Sequence, residues 1–226
     1  MEELEKNIDP ERTALVSIMY SNNEVGTIQP VKKIAEICKK NNVIFHSDAS
    51  QAIGKIPVDV TEVGVDLLSI AGHKFYGPKG IGCLYVSPSF QISTVIHGVG
   101  QEFGLRGGTE NVSGIVGIGK AAELAKIEFD NKYELVIKQK RDRLRDLLLE
   151  KFPNAVINGH PTDVVPNTLS ISFQVPAFRL MEALKNRVCF SAGAACNSGK
   201  VVSPTLGAMG VSSEVAIGTI RLSVGR

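Results

Sequence analysis

The feature that most constrains the fold is an alternation of short apolar runs with an amphipathic helical segment in the first half of the chain. Residues 13–19 (TALVSIM) and 43–47 (VIFHS) predict buried strands, and residues 30–40 between them predict a helix that begins near a proline. Residues 67–71 and 81–86 predict two further strands. Because strands joined by a helical crossover pair in parallel, this order indicates an α/β domain with a mainly parallel sheet.

The second half of the chain predicts a long helical region and then a smaller α+β domain. Residues 110–152 have a helical pattern with a weak break near residue 130. Beyond it the pattern predicts a half-buried strand, a short helix and a final strand, at residues 169–173, 179–185 and 219–224. We therefore expect a large domain over residues 1–127 and a small C-terminal domain over residues 128–226.

Composition excludes several classes of function. The formal net charge of +2 and the absence of tryptophan give no basic, aromatic-rich surface for nucleic acid. No apolar stretch approaches the roughly 18 residues of a membrane helix, and the charged first twelve residues do not resemble a signal peptide. The four cysteines lack zinc-like spacing, so no metal site is expected. A cytoplasmic protein with reduced thiols is the expectation.

Two polar residues follow predicted strands of the first domain. Asp48 follows residues 43–47, where parallel sheets place ligand-binding groups. Its carboxylate can pair with a protonated pyridine nitrogen, or it can cap a helix N-terminus. Lys74 lies between glycines and aromatic residues after an apolar strand. It is either an amine that attacks an aldehyde or an ordinary surface lysine.

A third cluster is the small-residue stretch around Cys196, residues 191–199 (SAGAACNSG). Such a stretch suits a mobile loop that carries an exposed thiol, although a buried structural cysteine has the same local pattern. Cys38, Cys83 and Cys189 lie inside apolar runs and are expected to be buried.

Two glycine-rich segments resemble nucleotide-binding motifs only in part. Residues 114–121 carry the glycines and the lysine of a P-loop, but Ala121 replaces the Ser or Thr that holds magnesium. The segment also reads as the interior of a helix. Residues 77–82 (GPKGIG) have the wrong glycine spacing for a dinucleotide turn, and no helix is expected after them.

Six segments in this order resemble the cysteine desulfurase and selenocysteine lyase family, which are fold-type-I pyridoxal-phosphate enzymes of the class V aminotransferase group. They are residues 21–27 (SNNEVGT), 46–51 (HSDASQ), 72–78 (GHKFYGP), 106–111 (RGGTEN), 193–196 (GAAC) and 221–226 (RLSVGR). The likeness covers nearly the whole chain. Residue 1 of this chain corresponds to a position about a third of the way along members of the family.

The resemblance implies a cofactor site for pyridoxal 5'-phosphate. Lys74 matches the lysine that forms a Schiff base with the cofactor, and Asp48 matches the partner of the pyridinium nitrogen. Gln51 and Asn23 match groups around the phenolic oxygen and the substrate. His73 matches the histidine beside the phosphate, and the resemblance implies a catalytic role for it as well.

The resemblance also implies a substrate site and a second subunit. Arg221 matches the arginine that binds the substrate carboxylate, together with Asn23, and Cys196 matches the catalytic thiol. Thr109 matches a threonine that reaches the phosphate of the neighbouring subunit, which implies a homodimer.

The implied reaction removes selenium or sulfur from L-selenocysteine or L-cysteine and releases L-alanine, with a persulfide on Cys196 when cysteine is the substrate. Residues 193–196, Ser203-Pro204 and residues 72–78 favour the selenocysteine lyase branch. The alternatives are a cysteine desulfurase that supplies persulfide sulfur to an acceptor protein, for Fe–S clusters or thio-cofactors, and an inactive fragment that acts as a binding partner. A nucleotide-binding protein fails at Ala121.

Overall fold

The structure, a computed structural model, describes residues 1–192 and 203–226 and consists of two compact units. The first unit comprises Met1–Tyr20 and Gln29–Asn131, and the second comprises Ser21–Ile28 and Lys132–Arg226. The segment Ser21–Ile28 thus belongs to the second unit although it lies far from it in sequence. The prediction of domains at residues 1–127 and 128–226 did not contain this feature and stays a prediction.

The first unit contains a four-stranded sheet with the strand order β1-β2-β3-β4. Its strands are β1 (Leu15–Ser17), β2 (Ile44–Asp48), β3 (Leu67–Ala71) and β4 (Gly82–Val86). Its helices are α1 (Glu2–Asn7), α2 (Val31–Lys40), α3 (Val60–Val63) and α4 (Val112–Asp130). Each of the four predicted strands and the predicted helix at residues 30–40 is confirmed, whereas α1 and α3 were not predicted.

The sheet is mainly parallel, as the alternation of strands and helices predicts. β1 pairs with β2 and β2 pairs with β3 in parallel, but β4 runs antiparallel to β3. A parallel crossover needs a dozen or more residues, usually a helix. Only residues 72–81 separate β3 from β4, so the chain reverses instead.

Helices cover the sheet through apolar stripes that the sequence pattern predicts. On α2 the buried side chains are Val31, Ile34, Ala35 and Cys38, spaced as one helical face, and the helix packs on β2. The side chains of α4 that are buried lie in a cluster around Phe75, together with Ile118, Ala121 and Ala125. This second cluster anchors the segment that follows β3.

The second unit contains an antiparallel sheet with the strand order β5-β6-β8-β7. Its elements are α5 (Tyr133–Lys151), β5 (Val156–Asn158), β6 (Thr168–Ser172), α6 (Ala177–Leu184), β7 (Ser191–Ala192), α7 (Pro204–Ala208), α8 (Ser213–Ala216) and β8 (Thr219–Ser223). The predicted helical break near residue 130 is confirmed, because α4 ends at Asp130 and α5 begins at Tyr133.

The two faces of this second sheet differ in polarity. One face is apolar and includes Ile171 and Ile220, which pack with Ala177 of α6. The other face is mainly polar, and it includes Asn158, Ser170, Ser172, Ser191, Thr219 and Arg221. Register pairs Arg221 with Ser170 on one side and with Ser191 on the other.

The prediction that β6 is half-buried is wrong. All five residues of β6 are buried, including the serines of its polar face. The reason is tertiary: the segment Ser21–Ile28 approaches β6, and a Cβ at Gly26 would lie 3.1 Å from the Cβ of Thr168. An alternating pattern identifies one face for the core, but it does not show that the opposite face is also covered.

Among residues 1–192 and 203–226, no helix is both long and apolar enough to span a bilayer.

Gly77 lets the chain turn tightly after β3, and its replacement is expected to destabilise the protein. A Cβ at Gly77 would lie 2.8 Å from the carbonyl oxygen of Gly72, which is a backbone atom and cannot move aside. We expect Gly77→Ala to lower the free energy of unfolding by about 1–3 kcal/mol. The matched control is Gly119→Ala in α4, where a Cβ meets nothing within 4 Å and alanine favours the helix. Urea denaturation of both variants measures the difference, and equal stabilities would contradict the prediction.

Candidate active site

β2 and β3 bring two of the predicted site residues to one edge of the first sheet. Asp48 is the last residue of β2 and pairs with Ser69 of β3. Lys74 ends a 3₁₀ turn, Gly72–Lys74, that directly follows β3. Because neighbouring parallel strands end at the same edge, the carboxylate and the amine belong to the same edge of the sheet, and both side chains are exposed.

The backbone around Lys74 is held on both sides. Gly72 is buried, its N–H donates to the carbonyl of Ile81 at 3.0 Å, and its own carbonyl accepts from the N–H of Gly77 at 2.9 Å. On the other side, Phe75 is only 3% exposed. Lys74 and the exposed His73 therefore project from a turn whose ends are fixed by packing and by backbone hydrogen bonds.

The Asp48 carboxylate has one oxygen engaged in a local turn. Its Oδ1 accepts from the N–H of Ser50 at 2.8 Å. No described helix follows Asp48 directly, since α3 begins at Val60 and has Asp59 as its N-cap. The alternative interpretation of Asp48 as a helix N-cap is therefore wrong.

Gln51, three residues beyond Asp48, is half-buried. Its Oε1 accepts from the ammonium group of Lys55 at 2.7 Å. This bond fixes the orientation of the Gln51 carboxamide and therefore the direction in which its N–H donors point.

His46 is a polar residue at this edge that the sequence reasoning did not single out. Its Nδ1 lies 2.7 Å from Oγ of Ser17 on β1, and its Nε2 lies 2.9 Å from Oγ of Ser69 on β3. The imidazole thus links three neighbouring strands, two residues before Asp48 and on the same face of β2. The only available signal was its position at i−2 from Asp48, because the two serines are distant in sequence.

The second unit contains a polar cavity of about 230 Å³, lined by Arg221, Asn23, Glu24, Ala192 and serine and threonine residues. Arg221 Nη1 donates to the carbonyl oxygen of Asn23 at 2.6 Å, and Nη2 donates to Oγ of Ser191 at 3.1 Å. Its Nε is buried and has no hydrogen-bond partner among the described residues. Arg221 lines this polar cavity, and the forked donors of a guanidinium match the geometry of a carboxylate. The resemblance named Asn23 and Arg221 as one substrate-binding pair, and the structure places them in contact.

The remaining predicted site residues lie in the loop before α4 and in the undescribed segment. Thr109 is exposed and lies two residues before Asn111, whose Oδ1 accepts from the N–H of Gly114 and caps α4. Cys196 lies within residues 193–202, outside the described residues.

The other cysteines differ from the expectation of burial. Cys38 is buried, as predicted, but Cys83 and Cys189 are exposed, so the prediction is wrong for both. Cys83 lies on β4, whose burial pattern shows its first three residues exposed. The apolar run around Cys83 was mistaken for a buried segment, because short-range hydropathy does not identify which strand forms an edge. Cys189 lies between α6 and β7, outside any strand or helix.

The two nucleotide-binding look-alikes are excluded by their local structure. Residues 114–121 lie inside α4 rather than in a turn after a strand, as predicted. Residues 77–82 lead into β4 and not into a helix.

Comparison with known proteins identifies the family. The aminotransferase class-V family matches residues 1–226. The chain belongs to this family. It is 46% identical over 224 residues to a cysteine desulfurase IscS of Methanosarcina thermophila, covering 98% of this chain and 55% of that protein. It is also 46% identical over 216 residues to a cysteine desulfurase of Sinorhizobium fredii, covering 94% of this chain and 56% of that protein.

Solved structures of family members agree with the fold. A NifS-like protein superposes with a TM-score of 0.85 at 41% identity, over 99% of this chain and 58% of that one. A protein described as SspA in complex with cysteine gives a TM-score of 0.77 at 32% identity, over 99% and 62% of the two chains. The family and the α/β fold expected from the sequence are thereby confirmed. The chain spans little more than half the length of the relatives it matches.

The cysteines provide a test of the structure through the pH dependence of alkylation. Burial raises the pKa of the Cys38 thiol, helped by Asp66. Although Cys83 is exposed as a residue, partial desolvation of its thiol raises the pKa, helped by Glu102. Because only the thiolate reacts, a raised pKa means that iodoacetamide labelling of Cys83 should reach its plateau at a higher pH in the folded protein than in urea. Cys38, which is 1% exposed, should react slowest at every pH.

Mass spectrometry of tryptic peptides, collected from about pH 7 to about pH 10, measures each rate. Labelling of Cys38 at the same rate in folded and urea-unfolded protein would contradict its burial.

Proposed function

We propose that this chain is the larger part of a pyridoxal-phosphate-dependent cysteine desulfurase, which removes sulfur from L-cysteine and releases L-alanine. The observation that carries the proposal is the delivery of Asp48 and Lys74 to one sheet edge by two neighbouring parallel strands. The relatives at 46% identity, both named cysteine desulfurases, support the same activity.

The residues at this edge fit pyridoxal phosphate chemically. Lys74 supplies a primary amine on a turn with fixed ends, which suits covalent attachment of an aldehyde. Asp48 supplies a carboxylate with one oxygen engaged by Ser50, which suits pairing with a protonated ring nitrogen. His73 and Gln51 would complete the binding site, with Thr109 of a second subunit at the phosphate. When bound, the cofactor supplies an electron sink for the carbon that bears the amino group.

In this proposal each of the following residues has a defined role in the reaction. Arg221 binds the substrate carboxylate and orients the amino acid, and Lys74 takes up and returns the proton at the α-carbon. Asn23 supports Arg221 through its carbonyl oxygen. Cys196 would attack the sulfur of the substrate as a thiolate, forming a sulfur–sulfur bond as the bond between that sulfur and the β-carbon breaks. The electron pair of the broken bond leaves with the carbon, which takes up a proton to become the methyl group of alanine, and an acceptor protein takes the outer sulfur of the Cys196 persulfide.

Cysteine is the proposed substrate, although the sequence motifs favour the selenocysteine lyase branch. The relatives that match most of the chain carry the name cysteine desulfurase, and one solved neighbour is described as a complex with cysteine. These comparisons do not distinguish selenium from sulfur, so selenocysteine is retained as the competing substrate in the test below.

An exposed apolar surface in the first unit supports a homodimer. It comprises Val95, Val99, Phe103, Val112 and Val116, which are 86%, 93%, 99%, 66% and 66% exposed. The loop that carries the first three is ordered by its own contacts, since Thr94 Oγ1 donates to the carbonyl of Gly104 at 2.6 Å. Apolar side chains held in this way on a folded loop are typical of an interface between subunits.

Borohydride trapping tests the cofactor site. Reduction in the presence of pyridoxal phosphate makes the link between cofactor and lysine permanent, and we expect one label on Lys74, located by peptide mass spectrometry. Lys74→Ala should lose this label because Lys74 is the amine proposed to attack the aldehyde, whereas the ammonium of Lys55 is engaged by Gln51. Lys79→Ala, which changes an exposed lysine on the same loop, should keep it. A label that persists in Lys74→Ala would contradict the assignment.

Product analysis tests the reaction and the substrate. We expect the pyridoxal-phosphate-loaded protein to release alanine from L-cysteine, and Cys196→Ser to lower that rate by at least about a hundredfold because it removes the nucleophile. The same variant should still be labelled at Lys74. A rate with selenocysteine that is insensitive to Cys196→Ser, together with no alanine from cysteine, would instead support the selenocysteine lyase branch.

Sedimentation tests the homodimer. We expect Val99→Asp to raise the dissociation constant of the dimer by about tenfold or more, because it places a charge in an apolar contact, and to shift the protein towards its 24.3 kDa monomer. Val175→Asp, which is 43% exposed in the second unit, is the matched control and should leave the dimer intact. A monomeric unaltered protein would indicate that the surface binds a part of the relatives that this chain does not contain.

A further inference from the structure

The cavity of the second unit contains a carboxylate, Glu24, that the proposed reaction does not use. Glu24 is half-buried and lines the same cavity as Arg221. Its Oε2 accepts from the hydroxyl of Ser203 at 2.6 Å, and its Oε1 accepts from the hydroxyl of Thr205 at 3.0 Å. Both oxygens are therefore occupied by charge-assisted hydrogen bonds, which are the stronger kind.

The two partners of Glu24 are themselves fixed. Ser203 is 3% exposed and is the N-cap of α7, where its Oγ accepts from the N–H of Leu206 at 3.4 Å. Leu206 is fully buried and packs with Val25 and Ala216. Glu24 thus binds to the start of a short helix that is anchored in the core of the second unit.

In the sequence, Glu24 directly follows Asn23, the residue whose carbonyl binds Arg221. The carbonyl oxygen of Asn23 accepts from Arg221 Nη1 at 2.6 Å. Within this turn, the Asn22 carboxamide oxygen accepts from the N–H of Glu24 at 2.8 Å and from the N–H of Val25 at 2.9 Å. The Asn23 carbonyl thus lies in a turn that the Asn22 side chain closes and that the Glu24 side chain ties to α7.

The rest of the turn is anchored further along the chain. Val165 donates from its N–H to the carbonyl of Gly26 at 2.9 Å, and Thr27 Oγ1 accepts from the N–H of His160 at 3.0 Å. These contacts fix the later half of the turn, so loss of the Glu24 side chain is expected to loosen Asn23 without unfolding the segment.

We propose that Glu24 is a positioning residue for the carboxylate site. Its carboxylate holds the Asn22–Val25 turn against α7, and the Asn23 carbonyl then orients the guanidinium of Arg221 before a ligand arrives. A guanidinium that is already oriented loses less side-chain freedom on binding, which tightens the complex. This inference rests on the assignment of Arg221 to the substrate carboxylate proposed above.

Side-chain NMR of the 226-residue chain tests the positioning directly. The Nε–H signal of Arg221, identified by its loss in Arg221→Lys, reports on the orphaned donor of the guanidinium. In Glu24→Ala without ligand we expect a lower heteronuclear NOE at this group, because the guanidinium becomes more mobile. Glu24→Gln should retain the unaltered value, because a carboxamide can still bond to both hydroxyls. An unchanged NOE in Glu24→Ala overturns the proposal.

Ligand binding separates positioning from a general structural role. Titrations with L-cysteine and with cysteamine, which lacks the carboxylate, are followed by the same signal and by amide shifts. We expect Glu24→Ala to weaken cysteine binding by about tenfold and to leave cysteamine binding unchanged. Glu24→Gln should bind cysteine within about twofold of the unaltered chain. Glu214→Ala, which removes an exposed carboxylate from α8, controls for the change in net charge.

The outcomes distinguish this inference from the proposed function. If Arg221→Ala binds cysteine as tightly as the unaltered chain, or if the unaltered chain does not bind it, both the carboxylate site and the role of Glu24 are overturned. If Arg221→Ala loses cysteine binding while Glu24→Ala keeps it, only the role of Glu24 fails. Equal weakening of cysteine and cysteamine in Glu24→Ala also overturns positioning. Should Glu24→Ala fail to fold, Thr205→Val removes one hydroxyl donor and is expected to weaken cysteine binding by about threefold.

Discussion

The parallel pairing of β2 with β3 is the constraint on which the proposed cofactor site of the first unit depends. Two parallel neighbours must end at the same edge, so the residues that follow them meet there regardless of their distance in sequence. Asp48 ends one strand and Lys74 follows the other by three residues. The imidazole of His46 reinforces this edge by bonding to serines on both neighbouring strands. A shift of register by one residue would turn each of these side chains to the opposite face.

In the second unit, the main constraint is that a guanidinium within the sheet needs hydrogen-bond acceptors. An arginine on a central strand must find acceptors, since an unpaired buried charge costs several kcal/mol. Serines on both flanking strands and a carbonyl from the segment Ser21–Ile28 surround Arg221. Only some of the hydrogen-bond donors of the guanidinium have partners in this way, because Nε lacks a partner among the described residues. Arg221 is thereby held at a polar cavity by protein groups from two strands and from the segment Ser21–Ile28.

Sequence reasoning succeeded where the signal is local. The strand at Leu67–Ala71 was predicted with the observed bounds, and the break between α4 and α5 was placed correctly, because hydrophobic periodicity and its interruption lie within one segment. It failed where the burial of a residue depends on segments that are distant in sequence. The serine face of β6 was expected to meet solvent and is covered, whereas Cys83 was expected inside and lies on an edge strand. Neither outcome is encoded within a window of ten residues.

By itself, the sequence determined the family and the mainly parallel sheet, and it named the groups proposed to carry the chemistry, because motifs such as residues 46–51 and 72–78 are contiguous and specific. Tertiary structure alone decided which groups support them. The bond of His46 to Ser17 and Ser69, and the bond of Glu24 to Ser203 and Thr205, join residues that are 23 to 181 positions apart. Such contacts arise from strand register and chain topology, and these are set by the burial of whole faces rather than by any local pattern of residues.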